Sequence, residues 1–477
     1  MREMYTHVLG CKVNYADVQA VLERLRLVGD APAGMAGSEA PVRMADGDAP
    51  AGMADVEAPV ALVGTCCVTA ESEKQSRKEV RRASRRVGPE GKVFVTGCAA
   101  RLKPDVFAGL AGNVTVVTGE PEEVATGIKA VLITGDAGTA VNATAVPAEK
   151  RSAVKAAGTS AIATARTRFF LKIQDGCASH CSYCVIPQVR GNPRSVPLKR
   201  VLSLASEMVA AGYPELVVSG INVGSWRDAG ENLPGLLGRL AGIDGLKRLR
   251  LSSIEATHVT QELLDVTERH SCMGRHLHIP LQSGDDGVLA SMRRRYDTAA
   301  FRQALELAKM ILPDINLTTD VIVGYPAEDE TAFSNTLEYV EACGFSKVHV
   351  FSYSPRPGTL ANAGNAGGGI DGGDGGGTMN AGNEGGGMED CVPAAEKRRR
   401  SGLMRDLSRR LQRAHRQRKV GLTGEILLEA PVAPGVHGGY SLDYTRYIVS
   451  GGRPGMLVSV LAEEISEQGV IGKVVDC

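Results

Sequence analysis

The sequence predicts an α/β protein of three domains: an N-terminal α/β domain with a parallel sheet, a partial (βα)6 barrel and a small C-terminal all-β barrel. The chain has 477 residues, and at roughly 150 residues per domain this length predicts about three domains. Short apolar runs alternate with helical stretches through most of the chain, which is typical of parallel sheets. The last segment is β-rich and is interrupted by Gly and Pro.

The composition excludes several classes of protein. Hydrophobic residues make up 43% of the chain, which excludes a wholly disordered protein. The sequence contains no run of 18 apolar residues, so it predicts no transmembrane helix. The start of the chain lacks an apolar signal core. We therefore expect a cytoplasmic protein without a membrane partner. The 54 Lys+Arg balance the 54 Asp+Glu, so the net charge gives no indication of nucleic acid.

The N-terminal domain is expected over residues 1–130. Helical stretches such as 17–28 and 72–87 separate four strand-like runs, namely THVLG, PVALVGTC, KVFVTGC and VTVVTG. An imperfect repeat places an insertion at 30–58, because two copies are too few for a solenoid. The Ala/Thr-rich stretch at 131–165 is a predicted interdomain linker.

The barrel is expected over residues 166–396. Its six strand-like runs are RFFLKIQ, ELVVSG, LKRLRLS, HLHIP, INLTTDVIVG and KVHVFSY. Such βα units place a functional site at the carboxyl ends of the strands. The segment 361–390 contains 13 glycines and no periodicity, which indicates a flexible insertion.

Two basic segments and a β-rich terminus complete the chain. Residues 397–420 are a predicted basic linker helix, since 397–419 hold eleven Lys/Arg and one Asp, and Leu403, Leu407 and Leu411 recur every four residues. Residues 421–477 predict a five-stranded barrel, a scaffold often used for nucleic acid. Seven further Lys/Arg lie within 74–86. A solvated surface is the ordinary explanation of such charge, but the neighbouring β-module favours phosphate contact.

Eleven cysteines require an explanation, because an odd number in a reducing compartment argues against a disulfide framework. Cys177, Cys181 and Cys184 have C-x3-C-x2-C spacing directly after the first barrel strand. A structural zinc site normally has four ligands, and no second pair follows in the usual window. Three thiolates on a 4Fe-4S cubane instead leave one iron open for a small-molecule chelator. Zinc remains the weaker alternative.

Three more cysteines follow strands of the N-terminal domain: Cys11, Cys66 and Cys98. A parallel sheet gathers its strand ends at one edge, so these sulfurs could ligate a second cluster. The alternative is that each is a small buried residue at a strand end. Cys67 points elsewhere in an extended chain, and the choice between it and Cys66 stays open on spacing alone. No such context surrounds Cys272, Cys343, Cys391 or Cys477.

The C-x3-C-x2-C motif after the first strand of a βα barrel resembles the radical S-adenosylmethionine (SAM) superfamily. The resemblance implies that Cys177, Cys181 and Cys184 hold a 4Fe-4S cluster whose open iron binds SAM, giving a radical that attacks unactivated C–H bonds. It also implies SAM contacts for Gly220, which ends the second strand, and for Glu255, which ends the third. A strand-end turn is the competing explanation of both. Arg190 and Arg194 are expected to meet SAM or phosphate, or to lie on the surface.

The two cysteine sets together resemble the methylthiotransferases, which join an N-terminal cluster domain, a radical SAM barrel and a C-terminal TRAM barrel. The shared stretches include LGCKVNYAD, QDGCASHCSYCVIPQVRG, LHIPLQSGDD, MRRRY, TDVIVGYPAEDE and VHVFSYSPRPGT. In this family the second-strand cysteine directly follows Thr, which implies Cys66. The resemblance therefore implies a second 4Fe-4S cluster at Cys11, Cys66 and Cys98, two roles for SAM, and a reductant such as flavodoxin or ferredoxin.

The opening Lys12-Val13-Asn14 resembles the MtaB-like branch of this family. That branch implies methylthiolation at C2 of N6-threonylcarbamoyladenosine, with the tRNA anticodon stem-loop as partner and no catalytic residue beyond the cluster ligands. The branch opening with GCQMN acts on isopentenyl-adenosine in tRNA, and the branch opening with GCPKN acts on a ribosomal protein side chain. An alternative of another class is a zinc-stabilised RNA-binding protein without catalysis.

Overall fold

The computed structural model describes residues 4–26, 60–134, 140–142, 167–363 and 392–476. The predicted insertion at 30–58 therefore lies outside the described residues, as do most of the predicted linker at 131–165 and nearly all of the Gly-rich segment at 361–390.

The N-terminal domain is a parallel sheet of five strands in sequence order. This confirms the expected α/β domain and adds a short fifth strand. The strands are β1 (Met4–Val8), β2 (Val60–Thr65), β3 (Lys92–Gly97), β4 (Val114–Thr118) and β5 (Ala140–Asn142). The helices are α1 (Lys12–Arg26), α2 (Ala70–Val87), α3 (Cys98–Leu102), α4 (Pro104–Ala108) and α5 (Pro121–Thr134).

Alternation along the central strands decides which helices cover each face of this sheet. Ala61 and Val63 belong to a core shared with α2 and α4, whereas the intervening Leu62 packs with α1 and α5. Successive side chains of a strand point to opposite faces, so the continuous apolar runs of the sequence correspond to a sheet that is covered on both sides.

The second domain is the predicted partial barrel. Its six main strands are β6 (Arg168–Lys172), β9 (Glu215–Ser219), β12 (Arg248–Leu251), β13 (His276–His278), β14 (Asn316–Val323) and β15 (Lys347–Ser352). They form two three-stranded parallel sheets, β6-β9-β12 and β13-β14-β15. A parallel bridge between Leu249 and Met273 joins the two sheets.

Shorter elements connect these strands. Two small antiparallel pairs are β7 (Gln174–Asp175) with β8 (Arg194–Ser195), and β10 (Arg227–Asp228) with β11 (Glu231–Asn232). The helices are α6 (Ile186–Arg190), α7 (Leu198–Ala210), α8 (Leu233–Ala241), α9 (Gln261–Arg269), α10 (Asp286–Ser291), α11 (Thr298–Ile311), α12 (Glu330–Cys343) and α13 (Leu360–Ala363). Caps fix several helix starts: Asp297 and Asp329, for example, accept from backbone N–H groups three residues on.

The basic segment forms helix α14 (Ala394–Gln417), which lies against β15. The predicted leucine stripe was partly wrong, because Leu403 is 42% exposed. The buried face of α14 instead carries Met404, Leu407 and His415. A strict four-residue spacing drifts across a helix of 3.6 residues per turn, so the first of the three leucines leaves the buried face.

The C-terminal domain is a closed five-stranded barrel in the order β16-β17-β18-β20-β19, as expected. Its strands are β16 (Thr423–Ala433), β17 (Val436–Ser441), β18 (Arg446–Ser450), β19 (Leu457–Ile465) and β20 (Val470–Asp476). Strand β17 is not apolar in sequence. A Cβ at Gly439 would lie 2.7 Å from the carbonyl oxygen of Leu427, so close strand packing explains the glycine.

The C-terminal barrel closes one end of the larger barrel. The end of β17 and the β17–β18 loop accept hydrogen bonds from residues that begin strands of the larger barrel. Arg248 Nη1 donates to Tyr440 O at 2.6 Å, and Asn316 Nδ2 donates to Asp443 O at 2.7 Å. The carboxyl ends of the strands therefore form the other, open end. Within the described ranges, no helix has the length and apolar character needed to cross a membrane.

Candidate active site

The cysteine loop of the barrel lies between β7 and α6, at the carboxyl end of β6. Cys177, Cys181 and Cys184 are all half-buried. A side chain at Gly176 would collide with the carbonyl oxygen of Asn192, and Gly176 has a φ of 72°, which favours glycine there. Burial, together with the neighbouring Cys181 and Cys177, raises the pKa of Cys184 to about 12. The three thiols are thus gathered on one tight loop facing the open end.

Gly220 ends the second strand as predicted, but its immediate neighbours are protein atoms. A Cβ there would lie 3.0 Å from the Cβ of Gln174. The Gln174 amide donates to Gly176 O at 2.8 Å, and its oxygen accepts from Asn222 N at 2.7 Å. Packing against Gln174 therefore accounts for this glycine. Gln174 also ties the cysteine loop to the end of β9.

Glu255 lies beside the cysteine loop and is linked to it through Arg294. Arg294 Nη2 is 3.1 Å from Glu255 Oε1, and Nη1 donates to Cys181 Sγ at 3.2 Å. Asn222 Nδ2 donates to the other oxygen of Glu255 at 3.5 Å, while the buried Asn222 Oδ1 finds no hydrogen-bond partner among the described residues. An orphaned buried acceptor next to a carboxylate suits the ammonium or hydroxyl groups of a ligand.

The sequence did not reveal Arg294, because it is the second of three consecutive arginines in MRRRY. Its side chain is only 6% exposed, and its guanidinium also donates to Tyr296 OH at 3.1 Å. Charged side chains are rarely buried without partners. Only the three-dimensional arrangement shows which of the three arginines reaches a cysteine.

The three N-terminal cysteines lie at one edge of the parallel sheet. Cys11 follows β1 and immediately precedes α1, Cys66 follows β2, and Cys98 is the first residue of α3 after β3. A Cβ at Gly10 would lie 3.1 Å from Cys66 Sγ, which places Cys66 beside Cys11. The nearby Cys98 adds to burial in raising the pKa of Cys66. The structure thus brings the three predicted residues together.

Cys11 is the most accessible of the three N-terminal cysteines. It is exposed, whereas Cys66 and Cys98 are buried. The surrounding protein, by desolvation, still raises the pKa of the Cys11 thiol to about 11. Three thiols at one edge of the sheet, one of them open to solvent, fit the donor set that an iron–sulfur cluster requires.

Cys67 occupies a different environment from Cys66. It is fully buried and packs with Val80 and Phe107 in the sheet core. A hydrogen bond from Cys67, followed by the charge of Arg190, lowers the pKa of Cys98 to about 6. Cys67 therefore lies in the sheet core with its thiol on Cys98, whereas Cys66 lies beside Cys11. The position beside Cys11 supports Cys66 as the ligand that we propose.

Arg190 is buried between the two cysteine sets, and Arg194 is not. Arg190 Nε donates to Cys98 Sγ at 3.2 Å, and Nη1 lies 3.0 Å from carboxylate oxygens of both Asp17 and Asp175. Arg190 therefore does not lie on the surface, and its guanidinium is already engaged by protein groups rather than open to a phosphate. Arg194 is half exposed and pairs with Glu120 at 2.9 Å.

The described residues contain no group of three or more His, Cys, Asp or Glu side chains placed to hold a single metal ion. A tetrahedral zinc site needs four ligand atoms around one ion. In a 4Fe-4S cluster each thiolate binds a different iron, so the sulfurs lie farther apart.

Comparison with known proteins identifies two of the domains. Residues 171–340 match the model of the radical SAM superfamily. Residues 43–119 match a family described as uncharacterized protein family UPF0004. The chain is thus a radical SAM protein with a second, N-terminal family domain.

Three named relatives cover between 42% and 99% of the chain. The threonylcarbamoyladenosine tRNA methylthiotransferase MtaB of Thermotoga maritima is 32% identical over 99% of this chain and 96% of its own. The Bacillus subtilis protein of the same name is 36% identical over 74% of each chain. A tRNA-2-methylthio-N(6)-dimethylallyladenosine synthase of Cereibacter sphaeroides is 38% identical over 42% of this chain and 46% of its own. The chain belongs to the radical SAM methylthiotransferase family that contains the MtaB proteins.

Proposed function

We propose that this protein transfers a methylthio group to C2 of N6-threonylcarbamoyladenosine next to a tRNA anticodon, using SAM and two 4Fe-4S clusters. The observation that carries the proposal is the pair of cysteine sets, one on each domain, linked by the buried Arg190. The full-length relationship to proteins named MtaB supports the same substrate. Two synthases named for dimethylallyladenosine match at 38% identity over 42% of the chain and at 29% identity over 76% of it. The MtaB of Thermotoga maritima matches at 32% identity over 99% of the chain, which favours threonylcarbamoyladenosine over isopentenyl-adenosine.

Cys177, Cys181 and Cys184 would hold the cluster that binds SAM. When bound, this cluster and SAM supply a radical able to remove hydrogen from an unactivated C–H bond. Arg294 lies on Cys181 and balances thiolate charge there. Glu255 and Asn222 offer oxygen atoms to the polar groups of SAM. Gly220 would act indirectly, by letting Gln174 pack against the loop.

Cys11, Cys66 and Cys98 would hold the second cluster, where the sulfur to be transferred is carried. Arg190 donates to Cys98, and its carboxylate partner Asp175 is two residues before Cys177. The same side chain therefore fixes the two cysteine sets relative to one another. Transfer of a group between two sites depends on such fixed positioning.

Two basic helices flank the open end and would bind the RNA backbone. Lys78, Arg81 and Arg85 are exposed on α2, and Arg398, Arg405 and Arg413 are exposed on α14. Both helices begin beside the segment that follows β15. Ala70 N donates to Ser354 Oγ at 2.9 Å, and the Lys397 ammonium lies 5.1 Å from the centre of the Tyr353 ring. Basic surfaces on either side of a site suit a folded RNA loop with an extruded base.

Analysis of modified nucleosides tests this function. The protein with both clusters, SAM and a reductant such as flavodoxin or ferredoxin is incubated in turn with tRNA carrying threonylcarbamoyladenosine, tRNA carrying isopentenyl-adenosine, and ribosomes. Mass spectrometry is expected to find the methylthio group on the first substrate alone. Modification of the second tRNA or of a ribosomal protein would replace the proposal with the corresponding alternative. A colourless, iron-free protein that binds RNA would favour the zinc alternative.

A further inference from the structure

One half of the larger barrel has a polar interior. On β13, β14 and β15, Leu277, Val321 and Val348 belong to the hydrophobic core shared with the helices. The alternate positions carry His278, Thr318, Asp320 and His349, which face inward. Barrel interiors of this kind are normally filled by branched apolar side chains, and burying polar groups is costly. This lining therefore indicates a binding chamber.

The inward groups form one connected set, which we call the barrel chamber. His278 Nε2 lies 3.1 Å from Asp320 Oδ1, and its Nδ1 lies 2.9 Å from Thr318 Oγ1. His349 is opposite Asp320 in the strand register and meets the His278 ring at 5.5 Å. His349 is exposed and Asp320 is 24% exposed, so the chamber is open to solvent rather than filled.

Lys12 extends from the N-terminal domain into this chamber. Helix α1 lies along the free side of β6, where Phe170 N donates to Gln19 Oε1 at 3.1 Å. The Lys12 ammonium is 5.5 Å from the centre of the Tyr444 ring, and Tyr444 packs on His276 at 5.1 Å. Burial, followed by the charge of Lys12, lowers the pKa of His276. A positive charge therefore lies at the closed end of the chamber.

Phe351 lies two residues beyond His349 on the same side of β15, nearer the open end, and is 36% exposed. An exposed aromatic ring at the mouth of a polar chamber is a surface on which a base can stack. The chamber thus offers an apolar ring above, hydrogen-bonding groups in the middle and a cation below.

We propose that the barrel chamber receives the N6-threonylcarbamoyl substituent and that the Lys12 ammonium pairs with its carboxylate, which makes Lys12 a specificity-determining residue. The inference rests on the proposed function and assigns the recognition of its substrate. The substituent carries a carboxylate, a hydroxyl and a carbamoyl group, which match Lys12, Asp320 and the histidines. Asp320 is engaged by His278, which limits its repulsion of the incoming carboxylate.

The same chamber rejects an apolar substituent. An isopentenyl group offers no carboxylate to the Lys12 ammonium and would place an apolar surface against the polar side chains of the chamber. Sites built for polar groups discriminate strongly against analogues that lack them.

The test measures the affinity of the protein with both clusters for two anticodon stem-loop RNAs. One carries threonylcarbamoyladenosine, and the other carries its neutral carboxamide. The wild type is expected to bind the carboxylate RNA about tenfold to a hundredfold more tightly, as a charge-assisted contact implies. Equal affinities in the wild type would overturn the inference without any variant.

Variants assign that preference to Lys12. Lys12→Met is expected to bind both RNAs equally, Lys12→Arg to keep most of the preference, and Lys199→Met, at an exposed position on α7, to match the wild type. Iron content verifies that each variant retains both clusters. An unchanged preference in Lys12→Met would overturn the assignment. A wild type that prefers the carboxylate RNA but does not methylthiolate it would contradict the proposed function and leave the chamber's specificity standing.

Discussion

The Nε of Arg190 donates a hydrogen bond to Cys98 Sγ at 3.2 Å. Arg190 ends the helix that follows the barrel's cysteine loop, and Cys98 begins a helix of the other domain. Asp17 and Asp175 each lie 3.0 Å from the same guanidinium. One buried cation thus neutralises groups from both domains exactly where the two cysteine sets approach each other.

Removal of this cation is expected to destabilise the protein strongly. Arg190→Leu removes one of the two cations that contact Asp17 and Asp175, the other being Lys172. Breaking a buried ion pair in this way typically costs about 3 kcal/mol of unfolding free energy. Denaturant unfolding of the cluster-free protein measures the loss. Arg194→Leu is the matched control, since its half-exposed pair with Glu120 contributes at most about 1 kcal/mol. Equal losses for the two variants would contradict the structural role of Arg190.

A second buried pair joins α2 to the segment after β15. Arg356 Nη2 is 2.7 Å from Glu73 Oε2, with side chains 4% and 5% exposed. Although burial raises the pKa of Glu73, Arg356 and Lys103 lower it overall. Arg356→Met is expected to increase amide hydrogen exchange at the start of α2, because the helix loses its contact with the barrel. Arg399→Met removes an exposed pair and is expected to leave exchange unchanged. Unaltered exchange in Arg356→Met would contradict this docking role.

Stability is expected to fall in mild acid because of His415. Burial lowers the pKa of this residue to about 4, and its Nε2 lies 2.8 Å from Thr445 Oγ1. Above pH 6.5 the ring is neutral in both folded and unfolded states, so protonation carries no penalty. Between pH 6.5 and 4 only the unfolded state takes up the proton, and stability is lost as the pH falls.

The His415→Gln variant measures this contribution. Between pH 6.5 and 4, the variant is expected to lose about 3 kcal/mol less unfolding free energy than the wild type loses. Denaturant titrations across the pH range give both curves. His276 and His349 also have lowered pKa values, so part of the acid sensitivity remains in the variant. Parallel curves for the two proteins would contradict the assignment to His415.

The exposed arginines of α14 are expected to contact phosphates. The double variant Arg405→Ser with Arg413→Ser should weaken tRNA binding and reduce the slope of log affinity against log salt by about two. Both side chains are exposed, whereas Met404 and Leu407 lie on the buried face of α14. Arg239→Ser, an exposed position on α8 paired with Glu231, is the control. An unaltered salt slope would place the RNA elsewhere.

Sequence reasoning reached the cysteines because their positions depend on local patterns. Apolar runs identify the strands of a parallel sheet, and each of Cys11, Cys66 and Cys98 follows one of them, so topology alone brings them to one edge. The role of Arg190 and the position of Arg294 escaped prediction because their partners lie in other elements. The separation along the chain is 173 residues for the Arg190–Asp17 contact and 113 residues for the Arg294–Cys181 contact. Nothing in the local sequence distinguishes these arginines from solvated ones.

The polar chamber escaped prediction for a related reason. The run HLHIP has the alternation of a strand, but the histidines would ordinarily be assigned to solvent. Barrel closure turns that side inward and places it opposite Asp320 and His349. Similarly, Lys12 was expected to mark a branch of the family, and its position inside the barrel emerged only from the packing of α1 along β6.

The most direct test of the two-cluster account is the iron and sulfide content after anaerobic reconstitution. The wild type is expected to hold about eight iron and eight sulfide per chain, because each set of three cysteines holds one 4Fe-4S cluster. Replacing Cys177, Cys181 and Cys184 by Ala, or Cys11, Cys66 and Cys98 by Ala, should each leave about four. A wild type that holds only about four iron per chain would contradict the account.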